Sequence, residues 1–494
     1  MLTLPESYAD VEKYTDDLLD FIASPLVLQI TGGIHVNDAL IHNAWEALPP
    51  EWTAWWDSLP DHRLAQQDLI DSIEEEEGEP TNTAPTPGEH GDDGLSISRL
   101  SIQGQGQGQG QGQQRERPPS LTKWLETLRS LSLPRARRPG PTLTLPDVLT
   151  SRMNTKKKAE VSTAAAYIRG VCEANNITRV IDMGSGQGYL SVSLAFLFPD
   201  LRVLAIDGSE SQIAASSAAA ASLGIPPGRI RHLRRYIDGT APLAAEMAAW
   251  AAGNRCVLVG LHACGNLSEH MLRYFAAAPF ITHLAAIGCC YNHIVPRSAA
   301  RPDGFPVSAE MRARGLVLGA TALMTGCQAP NNWARADLAR PEGESVYAKR
   351  RFYRALLEKV FFDKGIRPRL HETDADAATA GSRPPVWGAR KGDTASFVQF
   401  ARRAARVLGV DGSGILDDDE LVSYESRYRA YSGRIAVLWV LGVLCCKAVE
   451  SVVALDRWWF LAENGADDVD VFPVFEYRVS PRNLMIVASM RDVA

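Results

Sequence analysis

One stretch, residues 180–190 with the sequence VIDMGSGQGYL, constrains the fold of this 494-residue chain more than any other. Apolar residues lead into Gly184, Gly186 and Gly188, and a second apolar run follows at once. Glycine adopts backbone angles that are closed to other residues, and it lets a ligand approach the backbone closely. We therefore predict a buried first strand, a tight turn and a helix whose N terminus faces a ligand. The spacing Asp-x-Gly-x-Gly-x-Gly differs from the Gly-x-Gly-x-x-Gly of dinucleotide-binding proteins.

A second predicted strand, 201–206, ends at Asp207 and Gly208. A carboxylate at the tip of this strand suits the two hydroxyls of a ribose. With no phosphate to hold, the glycine turn can bind an amino-acid group instead, and this combination indicates S-adenosylmethionine as the ligand. Asp238, after the third strand, either reaches the adenine amino group or serves as a turn residue. The predicted donor-binding residues are Asp182, Gly184, Ser185, Gly186, Gly188, Asp207, Gly208 and Asp238.

Predicted strands alternate with predicted helices through the middle of the chain. The strands are expected at 179–182, 201–207, 230–236, 256–261 and 284–288. This alternation indicates a parallel, doubly wound sheet that binds its ligands at the carboxyl ends of the strands. The predicted fold class is α/β: a Rossmann-like class I methyltransferase sheet with an N-terminal helical region and a C-terminal helical accessory region.

Composition divides the chain into five segments. One of them combines an acidic run with a Gly-Gln repeat and has too little apolar surface to offset the entropy of ordering, so we expect it to be disordered. The arginine-rich stretch after it, which includes Arg135, is interpreted as a solvated linker rather than an RNA-binding arm. The predicted segments are an N-terminal helical region (1–73), the disordered low-complexity insertion (74–118), the linker (119–148), the methyltransferase core (149–345) and the C-terminal accessory region (346–494), with a closing strand of the sheet at 484–488.

Charge, apolar content and cysteine usage limit the class of protein. A net charge of −7 argues mildly against a protein that binds nucleic acid through charge alone. The longest apolar run, 435–446, is shorter than a bilayer span, so we expect a buried helix and no membrane association. Residues 1–20 lack the apolar core of a secretory signal. The eight cysteines show no disulfide-scaffold spacing, which favours a soluble protein in a reducing intracellular compartment, cytoplasmic or nuclear.

A second group of reactive residues stands where the fourth and fifth strands end. The fourth ends in GLHACGN (260–266) and the fifth in GCCYN (288–292), so these side chains are expected near the methyl group of the donor. The candidate catalytic residues are His262, Cys264 and Asn292. The candidate substrate contacts here are Cys289, Cys290 and Tyr291. Residues further along the chain that are expected to join them are Cys327, Gln328, Asn331, Asn332 and Trp333.

Each of these residues also has a purely structural interpretation. His262 could hydrogen-bond a loop carbonyl, and Cys289 and Cys290 could be buried small residues. A metal site from His262, Cys264, Cys289 and Cys327 is chemically reasonable, but the chain has no Cys-x-x-Cys ligand pair, so no metal is expected. A nucleophilic cysteine is disfavoured as well, because methyl transfer from S-adenosylmethionine is usually direct and depends on positioning.

The pairing of GLHACG with CCY, together with the glycine turn, resembles the eukaryotic methyltransferase-like group that includes proteins labelled ribosomal RNA adenine dimethylase domain-containing. Shorter matches include LPPEW (48–52) and VSPRNL (479–484). The resemblance implies a methyltransferase, and Lys156, Lys157 and Glu160 match its pattern. This lysine-rich helix start could contact a substrate phosphate or simply be solvated. The chain departs from the family pattern at Ala159 in place of His, Gln187 in place of Lys and Asn266 in place of Asp.

The acceptor of the methyl group is less well defined by the sequence. Enzymes that methylate exocyclic amines carry Asn/Asp-Pro-Pro-Tyr/Phe after strand four, whereas this chain has His-Ala-Cys-Gly at 262–265, which argues against N6-adenine chemistry. The same motifs are similar to those of transfer RNA 2′-O-methyltransferases, in which a His could act as general base or a Lys could orient the hydroxyl. RNA is therefore slightly preferred over protein. The alternative is a catalytically inactive methyltransferase-fold protein that acts in binding or assembly; an NAD-dependent oxidoreductase is disfavoured by the glycine spacing.

Overall fold

The computed structural model describes residues 2–33, 36–74, 116–329, 346–366, 394–410 and 417–490. Its centre is a seven-stranded sheet with the strand order β3-β2-β1-β4-β5-β7-β6. The first five strands are parallel, and β7 runs antiparallel to both of its neighbours. The strands are β1 (Arg179–Met183), β2 (Arg202–Asp207), β3 (Ile230–Arg234), β4 (Cys256–Ala263), β5 (Ile281–Gly288), β6 (Asp468–Pro473) and β7 (Leu484–Ser489).

Helices cover both faces of the sheet and extend beyond it. The first thirteen α-helices are α1 (Val11–Ile22), α2 (Pro25–Leu28), α3 (Pro50–Asp57), α4 (His62–Glu74), α5 (Pro119–Ser130), α6 (Asp147–Thr150), α7 (Thr155–Ala174), α8 (Tyr189–Leu197), α9 (Glu210–Ser222), α10 (Ala241–Ala251), α11 (Asn266–Ala277), α12 (Ala309–Ala313) and α13 (Ala320–Thr325). The C-terminal helices are α14 (Val346–Lys364), α15 (Phe397–Val407), α16 (Asp418–Tyr428), α17 (Ser432–Leu444) and α18 (Cys446–Glu463).

The strands of the sheet centre are apolar at successive positions because both faces are buried. Val180 of β1 packs with α7 and α8 on one face, while its neighbour Ile181 packs with α10, α11 and α18 on the other. A parallel sheet covered on both sides requires such continuous apolar strands. The predicted α/β class and its doubly wound sheet are thus confirmed, and each of the five predicted parallel strands is present.

The C-terminal end of the chain adds two strands to the sheet, one more than predicted. The predicted closing strand is β7, which pairs with β5. The strand that was missed, β6, is the last strand of the sheet among the described residues, and it pairs there with β7. Its sequence, DVDVFP, is short and carries two acids, so its strand character depends on the partner that it finds in the fold.

The apolar run 435–446 is buried, as expected, but it is divided between two helices. Helices α17 and α18 meet at Cys445. By length and composition alone, the stretch Asp418–Glu463 is long and apolar enough to cross a membrane, and 78% of its most apolar 18 residues are buried inside the protein.

The stretch interpreted as a solvated linker is part of the folded core. Helix α5 buries Leu121, Trp124 and Leu125 against the N-terminal helices. Arg135 is only 6% exposed, and its guanidinium lies 2.6 Å from a carboxylate oxygen of Glu450. The interpretation of Arg135 as solvated is therefore wrong, because a buried acid from α18 compensates its charge. The predicted disordered insertion lies almost entirely outside the described residues, and so do Asn331, Asn332 and Trp333.

The N-terminal helices and the sheet share one apolar core. Tyr14 of α1 is fully buried and donates a hydrogen bond to the carbonyl of Leu131. Trp52 and Trp56 of α3 are buried in the same cluster as Ile181 and Leu258 of the sheet. A second core, formed by α14, α15 and α16, is built from aromatic residues such as Phe352, Tyr353, Phe397 and Phe400.

Candidate functional site

The turn between β1 and α8 depends on its glycines. Gly184, Gly186 and Gly188 all have positive φ angles, at 71°, 54° and 76°. At Gly188 a Cβ would lie 2.0 Å from the hydroxyl oxygen of Ser216, so no larger residue fits. The backbone N–H groups of Gly184 and Ser185 donate to the carbonyl of Ile206 at 2.9 and 3.0 Å, which ties the turn to β2.

Asp207 lies at the tip of β2 and closes the turn from the other side. Its carboxylate accepts hydrogen bonds from the backbone N–H of Gly186 at 2.9 Å and of Ser209 at 2.8 Å. These bonds hold the carboxylate in place beside the glycine turn and leave further lone pairs free to accept bonds from hydroxyl donors. The predicted pairing of the glycine turn with the strand-tip acid is therefore present in the fold.

Asp182 lies beneath the turn rather than at its surface. It is 2% exposed, and its carboxylate accepts a hydrogen bond from the hydroxyl of Ser191 in the first turn of α8. Burial raises the pKa of Asp182 to about 6, although the Ser191 hydrogen bond opposes the shift. This side chain supports the base of the turn and acts on a ligand through the backbone that it holds.

The remaining predicted donor-binding residues differ in what they offer. The hydroxyl of Ser185 is buried in the turn and has no hydrogen-bond partner within the described part of the chain. Gly208 follows Asp207 and does not have the positive φ of the glycines in the turn. The carboxylate of Asp238 is exposed and accepts bonds from the N–H and hydroxyl of Thr240, the residue that precedes α10, as a turn residue does. The orphaned hydroxyl, the strand-tip carboxylate and the glycine turn fit the amino-acid and ribose groups of S-adenosylmethionine.

Three charged or polar residues meet where β4 ends, beside the strand that leads into the glycine turn. The ammonium of Lys157 lies 2.6 Å from His262 Nε2 and 2.9 Å from a carboxylate oxygen of Glu160. The same carboxylate oxygen lies 3.1 Å from His262 Nε2. One ring nitrogen cannot accept from Lys157 and donate to Glu160 at once, so the tautomer and protonation of His262 set which of these two contacts is a hydrogen bond. We refer to Lys157, Glu160 and His262 as the polar triad.

Glu160 is the buried member of the polar triad and holds the other two residues in place. It is 1% exposed, and its second carboxylate oxygen accepts a hydrogen bond from the hydroxyl of Ser480 at 2.8 Å. Burial opposes its ionisation, but the hydrogen bonds and charges of His262 and Lys157 outweigh burial and lower the pKa of Glu160 to about 2. The expectation that Glu160 touches the substrate is corrected: its carboxylate orients Lys157 and His262. Lys156, with 47% of its side chain exposed, lies 3.8 Å from the same acid.

Three cysteines from the ends of β4 and β5 converge, as the topology predicted. The sulfur of Cys264 lies 3.0 Å from that of Cys289, which lies 3.4 Å from that of Cys290. Hydrogen bonds from Cys264 and Cys289 lower the pKa of the Cys290 thiol, whereas the contacts of Cys289 with Cys264 and Cys290 raise the pKa of the Cys289 thiol. We refer to these residues as the thiol cluster.

Tyr291 and Asn292 have different surroundings from the thiol cluster. Tyr291 is 4% exposed, and its hydroxyl donates to Glu450 at 2.7 Å in the protein interior. The predicted substrate contact at Tyr291 is therefore corrected, because its polar end faces away from solvent. Asn292 is exposed. Its backbone N–H donates to the sulfur of Cys327 and its side-chain oxygen accepts from the Cys327 thiol, each at 3.3 Å, so it lies outside both the polar triad and the thiol cluster. Gln328 follows Cys327 directly, and its backbone carbonyl accepts a hydrogen bond from Arg482.

Sequence reasoning missed two residues that hold the site together. Ser480 supports Glu160, and Arg482 donates to the carbonyls of Gly326 and Gln328. Both stand in the VSPRNL run, which was noted as a motif without an assigned role. Asn266, a departure from the family pattern, accepts a bond from the N–H of Val295 at 2.9 Å and so joins the loops after β4 and β5.

Residues 156–297 match the family model described as "Methyltransferase domain". The matched region contains the glycine turn, Asp207, the polar triad and the thiol cluster. The chain is also similar to the probable methyltransferase-like protein 25 of Mus musculus, at 25% identity over 242 residues, and to that of Homo sapiens, at 26% over 245 residues. Each match covers 47% of this chain, with 37% of the mouse relative and 36% of the human one. The chain thus spans little more than a third of the length of the curated relatives that it matches.

Two solved structures give further comparisons. Coclaurine N-methyltransferase bound to N-methylheliamine and SAH is 14% identical, with a TM-score of 0.22 over 81% of this chain and 94% of that chain. The plantazolicin methyltransferase BpumL in complex with SAH is 12% identical, with a TM-score of 0.21 over 36% and 58%. The narrower resemblance to adenine dimethylase domain-containing proteins stays a prediction. The domain match at residues 156–297, together with the geometry of the glycine turn and Asp207, supports a methyltransferase that uses S-adenosylmethionine.

Proposed function

We propose that this protein transfers a methyl group from S-adenosylmethionine to a macromolecular acceptor, with RNA preferred over protein. The observation that carries the proposal is the juxtaposition of two sites at one edge of the sheet. The glycine turn closed by Asp207 follows β1, and the polar triad contains His262 at the end of β4, the strand next to β1. A donor site and an acceptor site at adjacent strand ends are what a direct methyl transfer requires.

The donor side of the site holds S-adenosylmethionine at its ribose and at its amino-acid group. The Asp207 carboxylate suits the ribose hydroxyls, and the Ser185 hydroxyl with the backbone of the glycine turn suits the amino-acid group. Bound there, S-adenosylmethionine supplies an electrophilic methyl group. The protein contributes a fixed orientation, since Asp207 and the turn are already held by hydrogen bonds before a ligand arrives.

The acceptor side offers the cationic group of Lys157 and the imidazole of His262. Glu160 holds both in place from the protein interior, so their positions do not depend on the acceptor. A hydroxyl or phosphate oxygen of the acceptor can take a hydrogen bond from Lys157. Lys157 and His262 would thereby align the acceptor atom with the methyl group.

Basic residues at the rim of this site favour an RNA acceptor. Lys156, Lys157 and Lys158 open helix α7, and Lys156 is half exposed. The guanidinium of Arg152 lies 5.7 Å from the centre of the Tyr189 ring at the start of α8. Phosphate groups account for much of the affinity in RNA binding, and such a cluster suits them. N6-adenine methylation is not part of the proposal, because the loop after β4 carries His262 and Cys264 where an amine-binding Pro-Pro pair would be needed.

The first test is calorimetric titration of S-adenosylmethionine into the wild type and Asp207→Ala. We expect micromolar binding in the wild type and at least a tenfold loss of affinity in the variant, because the ribose loses its acceptor. Asp200→Ala is the matched control: this acid precedes the opposite end of β2, forms a surface ion pair with Arg169, and should leave the affinity unchanged.

Binding would justify a labelled-donor screen over cellular RNA and protein. Label in RNA would support the preferred acceptor, and label in protein alone would replace it. The alternative function, an inactive methyltransferase-fold protein acting in assembly, would be favoured if the folded wild type bound no S-adenosylmethionine. The proposed location is intracellular, where a reducing compartment would keep the cysteines of the thiol cluster from forming disulfides.

A further inference from the structure

The thiol cluster is built by the backbone of two loops. The N–H of Gly265 donates to the carbonyl of Cys290 at 3.1 Å, and the N–H of His293 donates to the same carbonyl. Gly265 has a φ of 53° and a ψ of −131°, and a Cβ there would lie 2.5 Å from the carbonyl oxygen of His293. Only glycine fits this position, so the chain uses a residue without a side chain to bring Cys264 against Cys289 and Cys290.

The three sulfurs form a compact group with the size of a metal-binding site. All three lie within 4.8 Å of one another, with separations of 3.0 and 3.4 Å between neighbours along the cluster. A zinc–sulfur bond of about 2.3 Å places the sulfurs of a tetrahedral site about 3.8 Å apart. Small rotations of the side chains would therefore bring the three sulfurs to equal distances from one ion.

Thiols gain little from contact with one another, because they are weak hydrogen-bond donors and acceptors. Thiolates, in contrast, are strong ligands for soft divalent cations. We propose that Cys264, Cys289 and Cys290 bind Zn²⁺ through three thiolates and leave its fourth position open. Cys264 is exposed and its partners are half buried, so the ion would be in contact with solvent. Three protein ligands and one open position are the arrangement of zinc sites that meet a substrate.

The proposed zinc site differs from the ligand set that the sequence suggested. His262 belongs to the polar triad, and Cys327 contacts Asn292 and the carbonyl of Leu323. Neither residue is needed for the site. The spacing of the ligands, one cysteine and then an adjacent pair 25 residues later, has no Cys-x-x-Cys, and for that reason the sequence alone led us to expect no metal. The proposal does not depend on methyl transfer, and affinity for S-adenosylmethionine is measured separately from metal content.

The test is the metal content of the full chain, purified under reducing conditions, by mass spectrometry of the metal. We expect about one equivalent of zinc per chain in the wild type and less than about a tenth of that in Cys264→Ser and Cys289→Ser. Cys327→Ser is the matched control, since it removes a nearby half-buried thiol outside the cluster. Circular dichroism verifies that each variant is folded.

Two measurements on the wild type keep the test independent of the variants. Cobalt added to metal-free protein should produce the charge-transfer absorption of thiolate-bound Co²⁺. Alkylation of Cys264 should be slow with zinc bound and fast after chelation. A reduced wild type that holds no zinc and takes up neither Zn²⁺ nor Co²⁺ would overturn the proposal. A metal-free protein with a stable disulfide between Cys264 and Cys289 would overturn it as well.

Discussion

At the scale of single residues, two acids of the site have opposite surroundings and opposite tasks. Asp207 is half buried at a strand tip and accepts bonds from two backbone N–H groups, which leaves it able to meet a ligand. Glu160 is enclosed, with Lys157 and His262 on one carboxylate oxygen and Ser480 on the other. An enclosed and fully partnered carboxylate positions its neighbours, whereas a carboxylate at the edge of a turn can bind.

Gly188→Ala should destabilise the protein by about 2 to 4 kcal/mol, because the added Cβ combines a left-handed backbone with a clash against Ser216. Gly186→Ala is the matched comparison. Its φ is also positive, but its nearest neighbour would be 3.8 Å away, so we expect a cost of only about 1 kcal/mol. Urea denaturation of both variants measures the difference. Ser216→Gly should restore part of the stability of Gly188→Ala, and a double variant no more stable than the single one would contradict the clash.

Asp182→Asn should change how stability depends on pH. Burial raises the pKa of Asp182 in the folded protein to about 6 from an ordinary value near 3.8, so the folded state favours the protonated form. The corresponding stability is present below about pH 4 and is lost as the pH rises through about 6. Relative to the wild type, the variant should therefore gain about 2 to 3 kcal/mol between pH 4 and pH 7.5. Urea denaturation at both pH values checks this; a difference that stays constant would show that Asp182 ionises normally.

At the scale of elements, the segment between β6 and β7 stabilises the site through contacts with two helices. Ser480 reaches Glu160 on α7, and Arg482 reaches Glu450 on α18 at 3.1 Å. Glu450 also accepts from Arg135 and from Tyr291, the residue that follows the cysteine pair. The C-terminal segment thus connects the polar triad, the long helix and the loop of the thiol cluster. The accessory region is part of the site's support.

Glu450→Gln should destabilise the protein by about 3 to 5 kcal/mol, because it leaves Arg135 and Arg482 buried without a compensating charge. The matched control is Glu210→Gln, which breaks an exposed ion pair with Arg234 and should change stability by less than about 0.5 kcal/mol. Thermal and urea unfolding of both variants provide the measurement. Equal effects in the two variants would mean that the interior charges are solvated in the folded state.

The elements that were predicted correctly have local causes. The strands β1 and β2 are apolar runs, and the turn after β1 has glycines where the backbone needs a positive φ. The strand β6, which was missed, and the burial of Arg135, which was misjudged, both depend on residues elsewhere in the chain. Strand β6 exists because β7 offers it an edge, and Arg135 is buried because Glu450 meets it more than 300 residues later.

At the scale of the whole molecule, the chain encloses its central domain between its two ends. The N-terminal helices share a core with one face of the sheet, and the C-terminal strands complete the edge beside β5. Residues 156–297, which match the methyltransferase domain, therefore form only the middle of a larger folded unit. The second aromatic core, around Phe352 and Phe400, extends this unit on the side of α17.

The sequence by itself determined the glycine turn, the acid at the tip of β2 and the alternation of strands and helices, and from these the proposed donor. These features depend on residues that are close together in the chain, where backbone sterics and burial follow from local pattern. The tertiary structure alone decided that Lys157 and Glu160 meet His262, that Ser480 supports them, and that the three thiols come into direct contact. Those contacts join residues from 25 to 320 positions apart, and only the packing of the sheet brings them together.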